Sequence, residues 1–405
     1  MARFEPFAGL RYDPEAVALA EVIAPPYDVV APTERDRVAS RSPYNSILLE
    51  LPAPDEKAGL DRYAHAAALL ESWRAQGVLR RDFRESIYVY RMSYVAEEGQ
   101  ARSTTGVVGA LGLDSEGDGE VLPHERTMPR PKGDRLDLLR ACRANLSPIW
   151  GLSLSSGLAA RCAEVAAHAP AAMAASDDDD VRHEMWPVAD PEVIASIAER
   201  VEASPVVIAD GHHRYETASL YQAERRRANA GAPGAYDLVM AYVVELCEDE
   251  LVVEPIHRLV SGLPAGLDLA GALDEHFELS PGPADPVELQ AVMARDAAIG
   301  LVTSDGNLLL RPRQRLLEEA DADLDSSRLD VALAGLPAHE VSYLHGARNA
   351  AQAVCSGTAD HAYLLRPATV AQIAETAHSG RRMPPKTTFF QPKPRTGMVF
   401  RPVQG

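Results

Sequence analysis

Residues 206–214 read Val206-Val207-Ile208-Ala209-Asp210-Gly211-His212-His213-Arg214. An apolar run led by β-branched residues fits a buried strand, and helical spacing resumes after it. Gly211 therefore sits at a strand-to-helix turn, where glycine tolerates unusual dihedral angles and lets backbone N–H groups approach a ligand closely. The free N–H groups and dipole of a helix start favour an anion. Arg214, in the first turn, is expected to add a bidentate grip on phosphate oxygens. Asp210 is expected to cap the helix or to hold a phosphate-bound Mg²⁺ through oxygen. A capped helix start with two surface histidines explains the same residues. A metal site using His212 and His213 fits less well, because adjacent helical residues project about 100° apart.

Working outward, Thr217–Arg227 continues that helix, and Leu238–Leu246 with Glu250–Val253 has the pattern of a buried hairpin. Upstream, residues 1–50 are rich in proline and turn residues and read as extended and irregular, because each proline pushes its predecessor out of helical geometry. Leu60, Tyr63, Ala67, Leu70 and Trp73 recur at three or four, an amphipathic helix closed by Gly77. Ser86–Tyr94 and Thr105–Leu113 read as strands, and Pro191–Ala203 as a short helix. Residues from about 263 to 336 carry Ala, Asp and Leu at helical spacing and read as a smaller accessory domain. The acidic run Asp177–Asp180 reads as a solvated loop. No internal repeat is visible. The fold class expected is mixed α+β.

The chain has 405 residues, 46% hydrophobic and 24% charged, enough for two or three domains with substantial cores. No stretch approaches the roughly 18 apolar residues a membrane span needs, and the first residues lack a secretory pattern. Four scattered cysteines form neither a CxxC pair nor a disulfide framework. A cytoplasmic location with reduced thiols is the expectation. A formal net charge of −19 opposes binding to nucleic acid. A small phosphorylated ligand needs only a few local cations.

Two further segments bear on the turn. Leu122-Pro123-His124-Glu125-Arg126-Thr127 precedes Pro131-Lys132-Gly133-Asp134-Arg135. Near the C-terminus lies Met383-Pro384-Pro385-Lys386-Thr387-Thr388-Phe389-Phe390-Gln391-Pro392-Lys393. Polar residues held between prolines suggest rigid loops that present side chains. With the turn, they supply what phosphoryl transfer needs: a carboxylate base, cations and a phosphate cradle.

These residues also carry a family resemblance. Pro25-Pro26-Tyr27-Asp28-Val29, Pro43-Tyr44-Asn45, His124-Glu125-Arg126-Thr127, Ala209–Arg214, His257-Arg258 and Met383–Thr388 occur in the order found in the bacterial domain-of-unknown-function family 1015. The chain resembles that family almost end to end. Its centre looks like the ParB/sulfiredoxin superfamily, whose nucleotide site is a Gly-x-x-Arg turn, here Gly211-His212-His213-Arg214. The resemblance implies a ParB/sulfiredoxin-like nucleotide-binding core over 121–260. Around it are expected an N-terminal α+β region (1–120), an accessory helical α/β region (261–345) and a C-terminal segment (346–405) returning to the site. Within the superfamily the chain is similar to the free L-serine kinases, which make O-phospho-L-serine from serine and ATP or ADP. They share a Pro-His-Glu segment, an Asp-Gly-His-His-Arg turn and a Pro-Lys-Thr-Thr segment.

The resemblance implies a phosphotransferase with an alcohol acceptor. Glu125 would be the general base, with Asp210 and His213 beside it in the catalytic group and Asp210 positioning Mg²⁺. Gly211, His212, Arg214, Lys386, Thr387 and Thr388 would bind nucleotide phosphates or the substrate carboxylate. His124, Arg126, Lys132 and Arg135 would contact substrate or shape the loop around Glu125. The implied partners are a nucleotide and a small hydroxylated metabolite, with no nucleic acid or membrane. Two departures matter. Ile256 stands where the family is expected to have threonine, and His212 replaces the cysteine that sulfiredoxins need, which argues against sulfinic-acid repair. A nucleotide-binding regulator without turnover, or a kinase for another hydroxylated metabolite, are the alternatives.

Overall fold

A computed structural model of the chain describes residues 2–96, 99–113, 119–123, 133–264 and 266–403. These residues form a mixed α+β fold and divide into two compact units. The first gathers residues up to 123, residues 133–251, and residues from 392 onward; the second holds residues 252–391.

In the first unit the strand Val206–Asp210 lies between Val121–Pro123, to which it runs parallel, and Ile149–Ser153, to which it runs antiparallel. The sheet continues through Leu238–Glu245, Ala101–Gly112, Ile87–Val95, Arg182–Val188 and Met173–Ser176. Val206, Ile208, Ile149, Val107, Val239 and Val243 share one core with Ile197 and Val201 of the helix Pro191–Glu202. Each such side chain contributes about 1.5–3 kcal/mol of burial energy. A second core joins Leu10, Leu70 and Trp73 to Leu138 and Phe400. The helix Arg62–Ala75 starts at Asp61, whose side chain accepts from the N–H groups of Tyr63 and Ala64.

The second unit is built on a seven-stranded antiparallel sheet with helices packed on it. Val252–Ser261 is its hub, pairing with Glu340–His345, His361–Leu364 and Thr388–Gln391.

Several expectations change. Leu238–Glu245 and Val252–Ser261 are not a hairpin: they belong to different sheets. All but the last residue of Leu238–Glu245 is buried, and its two edges are taken by Ala101–Gly112 and Ile149–Ser153, which leaves none for Val252–Ser261. Residues 263–336 contain the strands Phe277–Pro281, Ile299–Thr303 and Gly306–Pro312 besides helices; the last two close a hairpin at Ser304-Asp305. Residues 1–50 include the short helices Leu19–Val22, Pro32–Ala39 and Ile47–Glu50.

Asp177–Asp180 is also not simply solvated. Asp177 is nearly buried and pairs with His183 at 2.7 Å and with Arg395. His183 Nδ1 meets the Tyr90 hydroxyl at 2.7 Å, and that oxygen accepts from the Arg395 backbone N–H at 3.2 Å. Burial pushes the His183 pKa down despite Asp177. The same carboxylate is held well below its usual range, because His183 and Arg395 outweigh its own desolvation. The acidic run anchors the C-terminal stretch to the sheet.

Candidate functional site

The strand register shifts between Ile208 and Asp210, a bulge that re-aims the last residue. Gly211 then takes φ 88° and ψ 25°, the left-handed region that disfavours side chains. A Cβ there would lie 3.0 Å from Arg214 Nε and 3.2 Å from the Ile149 Cα. Glycine is needed both for the turn and for the arginine folded over it. The helix His212–Ala228 begins without a side-chain cap, so Asp210 does not cap it.

Asp210 instead binds two cations. Its Oδ1 accepts from Lys393 Nζ at 2.7 Å and its Oδ2 from Arg214 Nη2 at 2.5 Å. Burial alone would raise its pKa, but Lys393 and Arg214 outweigh that and hold the carboxyl well below the usual range. Arg214 Nη1 donates to the Pro148 carbonyl. Two of the three guanidinium nitrogens therefore serve the protein itself, and a free bidentate fork on phosphate is not available in this arrangement. Among the described residues, Arg214 Nε and His213 Nε2 are buried without a hydrogen-bond partner. Arg214 Nε, a donor in every state, favours an added acceptor, as does His213 Nε2 in the tautomer that protonates it.

Mg²⁺ on Asp210 does not fit this donor set. A divalent cation wants oxygen ligands, and both carboxylate oxygens already face cations that would repel it. Among the described residues no group of three or more His, Cys, Asp or Glu side chains could hold a metal ion.

A cavity adjoins the turn. It is lined by Tyr27, Glu50 and Arg135, by Leu138, Leu139 and Leu146, and by Arg214 and Thr217. The Arg135 guanidinium lies 4.5 Å over the Tyr27 ring, and Arg214 lies 5.9 Å from it. Arg135 Nη1 donates to the Glu50 carbonyl at 2.7 Å, and its Nη2 pairs with Asp134 at 2.6 Å. Asp28 reaches within 4.0 Å of Arg214. The structure thus brings together Tyr27, Asp28, Glu50, Arg135, Asp210–Arg214 and Lys393. Sequence reasoning did not single out Tyr27, Asp28, Glu50 or Lys393 as site residues. Tyr27 and Asp28 were visible only as a family landmark, and Lys393 lay at the end of a segment read for Lys386.

In the second unit, Arg258 Nη1 donates to the carbonyls of Lys386 at 2.6 Å and Ile256 at 2.8 Å, and Nη2 to that of Pro385 at 3.1 Å. Thr387 Oγ1 donates to the Pro384 carbonyl at 2.8 Å and lies 2.9 Å from Ser326 Oγ. Lys386 is exposed, with φ 58°. Thr388 is buried at the start of its strand. Ile256 is a buried apolar residue whose carbonyl, not its side chain, serves the turn. Assigning Lys386, Thr387 and Thr388 to phosphate rests on the motif resemblance. His124, Glu125, Arg126 and Lys132 lie outside the described residues.

The sequence profile of the family described as protein of unknown function DUF1015 matches residues 4–332. The chain belongs to this family. Among solved structures, this DUF1015 member is similar to free serine kinase in complex with AMP, at 14% identity and a TM-score of 0.37 over 67% of this chain and 83% of that one. A conserved hypothetical protein from Pyrococcus furiosus gives 14% and 0.35, over 67% and 87%. SbnI with a C-terminal truncation from Staphylococcus aureus gives 14% and 0.39, over 71% and 84%. No curated protein matches the chain. No helix among the described residues is long and apolar enough to cross a membrane.

Proposed function

We propose that this DUF1015 member is a small-molecule kinase. It would move the terminal phosphoryl group of ATP or ADP to a small hydroxylated acceptor, with L-serine favoured. The observation that carries the reading is the Asp210–Arg214 turn: a glycine-bearing helix start with Arg214 and Lys393 held beside it. Helix-start N–H groups and fixed cations are what a polyphosphate needs. The order of the Pro-His-Glu, Asp-Gly-His-His-Arg and Pro-Lys-Thr-Thr segments supports it.

In this reading the acceptor oxygen attacks the terminal phosphorus, and the bond from that phosphorus to the bridging oxygen breaks. The acceptor's proton passes to the Glu125 carboxylate. Asp210 acts as the fixed counter-charge that positions Lys393 and Arg214. Arg214 Nε, and His213 Nε2 in the tautomer that protonates it, are left for a phosphate oxygen.

The test is nucleotide consumption and O-phosphoserine formation by the full chain, with ATP or ADP and L-serine. Glu125→Gln should lower turnover by about 10²–10⁴-fold and leave nucleotide affinity in place. Full activity in that variant removes Glu125 from the scheme. Tight nucleotide binding with no acceptor-dependent turnover supports the regulator instead.

A further inference from the structure

One edge of the second unit's sheet is left open. Glu340–His345 ends the strand order and pairs with Val252–Ser261 on one side. Among the described residues no strand lies on its other side. Backbone groups on that side have no ladder to join, and such an edge is a template for another strand. The first four residues are exposed, Val341 and Tyr343 at 36% each. At the opposite end of the same sheet, Phe277–Pro281 carries a charge within it, Glu278, and a proline at its end, devices that discourage pairing. Glu340-Val341-Ser342-Tyr343-Leu344-His345 has neither proline nor lysine, and its one carboxylate stands at the first position.

The same six residues complement themselves. Neighbouring strands of one sheet set side chains of the same face opposite each other, so two copies can meet only with even-numbered residues opposite even-numbered ones. Centred on Ser342, that pairing puts Val341 of each copy opposite Tyr343 of the other. Aromatic and β-branched residues make favourable cross-strand pairs. The two Glu340 residues fall at opposite ends, roughly 14 Å apart at 3.4 Å per residue. Each lies beside the other copy's strand end, which leads into the helix Ala347–Cys355 with its exposed Arg348. That helix begins without a side-chain cap, so its start is positive. Apolar pattern and charge thus match about a two-fold axis, as a contact between identical surfaces requires.

We propose that Glu340–His345 pairs antiparallel with its counterpart in a second copy of this chain, joining two sheets into one across a two-fold axis at Ser342. The contact has six residues a side, against about 20–30 in a standard interface, so the dimer is weak and concentration-dependent. It is independent of the kinase reading.

Sedimentation equilibrium of the full chain over about 1–200 μM tests the pairing, a range that brackets micromolar association. Wild type should pass from monomer to dimer. Val341→Lys, at an exposed position, should weaken the dimer at least tenfold and leave the circular dichroism spectrum unchanged. A second arm replaces Cys247 and Cys355 by serine, which leaves the buried Cys142 and Cys162. In that background Ser342→Cys should cross-link into a disulfide dimer on mild oxidation, whereas Glu340→Cys should not. A wild type that stays monomeric throughout, including one whose edge serves a different protein, overturns the proposal. So does a dimer of unchanged strength in Val341→Lys, or cross-linking of Glu340→Cys as efficient as that of Ser342→Cys.

Discussion

The molecule contains two arginine-bearing landmarks that look alike in sequence and do opposite work. In the first unit, Arg214 shares Asp210 with Lys393 and leaves its Nε, like Nε2 of His213, buried without a partner among the described residues. In the second, Arg258 spends its donors on the carbonyls of Ile256, Pro385 and Lys386. Its neighbour His257 accepts from the Leu365 backbone N–H at 3.2 Å. The first arrangement retains polar capacity beside a cavity. The second closes a loop onto a strand. A His-Arg pair in a sequence announces a constrained backbone, and only the bookkeeping of its donors tells a ligand site from a brace.

Asp210→Ala should have the largest effect. It leaves two cations in a largely buried place without their counter-charge, which should cost about 3 kcal/mol and abolish detectable nucleotide binding, read by chemical denaturation and calorimetry. An unchanged midpoint would show that the Asp210 cluster is no more strained than the Arg258 brace. Gly211→Ala comes next. Left-handed backbone with a side chain costs about 1–2 kcal/mol, and the new Cβ presses on Arg214 Nε and Ile149. Nucleotide affinity should fall about tenfold, corresponding to about 1.4 kcal/mol. Affinity equal to wild type would separate the turn from the ligand.

A third effect concerns acid. Burial, aided by the nearby charges of His345 and Arg258, pushes the His257 pKa down to about 3. The unfolded histidine, near its ordinary value of about 6.5, binds a proton more readily than the folded one between those two values. His257 therefore contributes stability above about pH 6.5 that is lost as pH falls toward 3, with a slope of up to about 1.4 kcal/mol per pH unit. Denaturation of wild type and His257→Asn at pH 7 and pH 5 should show a shallower loss in the variant. Identical slopes would mean that His257 is not held neutral.

The strand-to-helix turn at 206–214 was legible because β-branched residues, one glycine and a polar helix start lie together in sequence. The helix at Arg62–Ala75 and the strands Ile87–Val95 and Ala101–Gly112 were legible from equally local spacing. What escaped is non-local. Lys393 meets Asp210 across 183 positions, and no periodicity encodes such a meeting. Glu50 and Tyr27 sit in proline-rich sequence that reads as irregular, so their place on a cavity wall has no local signal. Asp177 looked like one of four solvated carboxylates until its histidine and arginine partners, 6 and 218 positions away, were in view. Leu238–Glu245 and Val252–Ser261 are close in sequence, and proximity suggested a hairpin that the pairing of both edges of the first strand with other strands rules out.

The stretch from Pro392 onward belongs with the first 251 residues, not with those just before it. It brings Lys393 to Asp210, Arg395 to Asp177 and Phe400 to the core around Trp73. During synthesis the ribosome must deliver residues 252–391 first, which at about 5–20 residues per second takes roughly 7–28 s. For that interval Asp210 has only one of its two cations, and the second core lacks an aromatic ring. The first unit is thus the first to be made and the last to be finished. Whatever binds at its turn meets a completed site only once the segment carrying Lys393 has been made and has docked on Asp210.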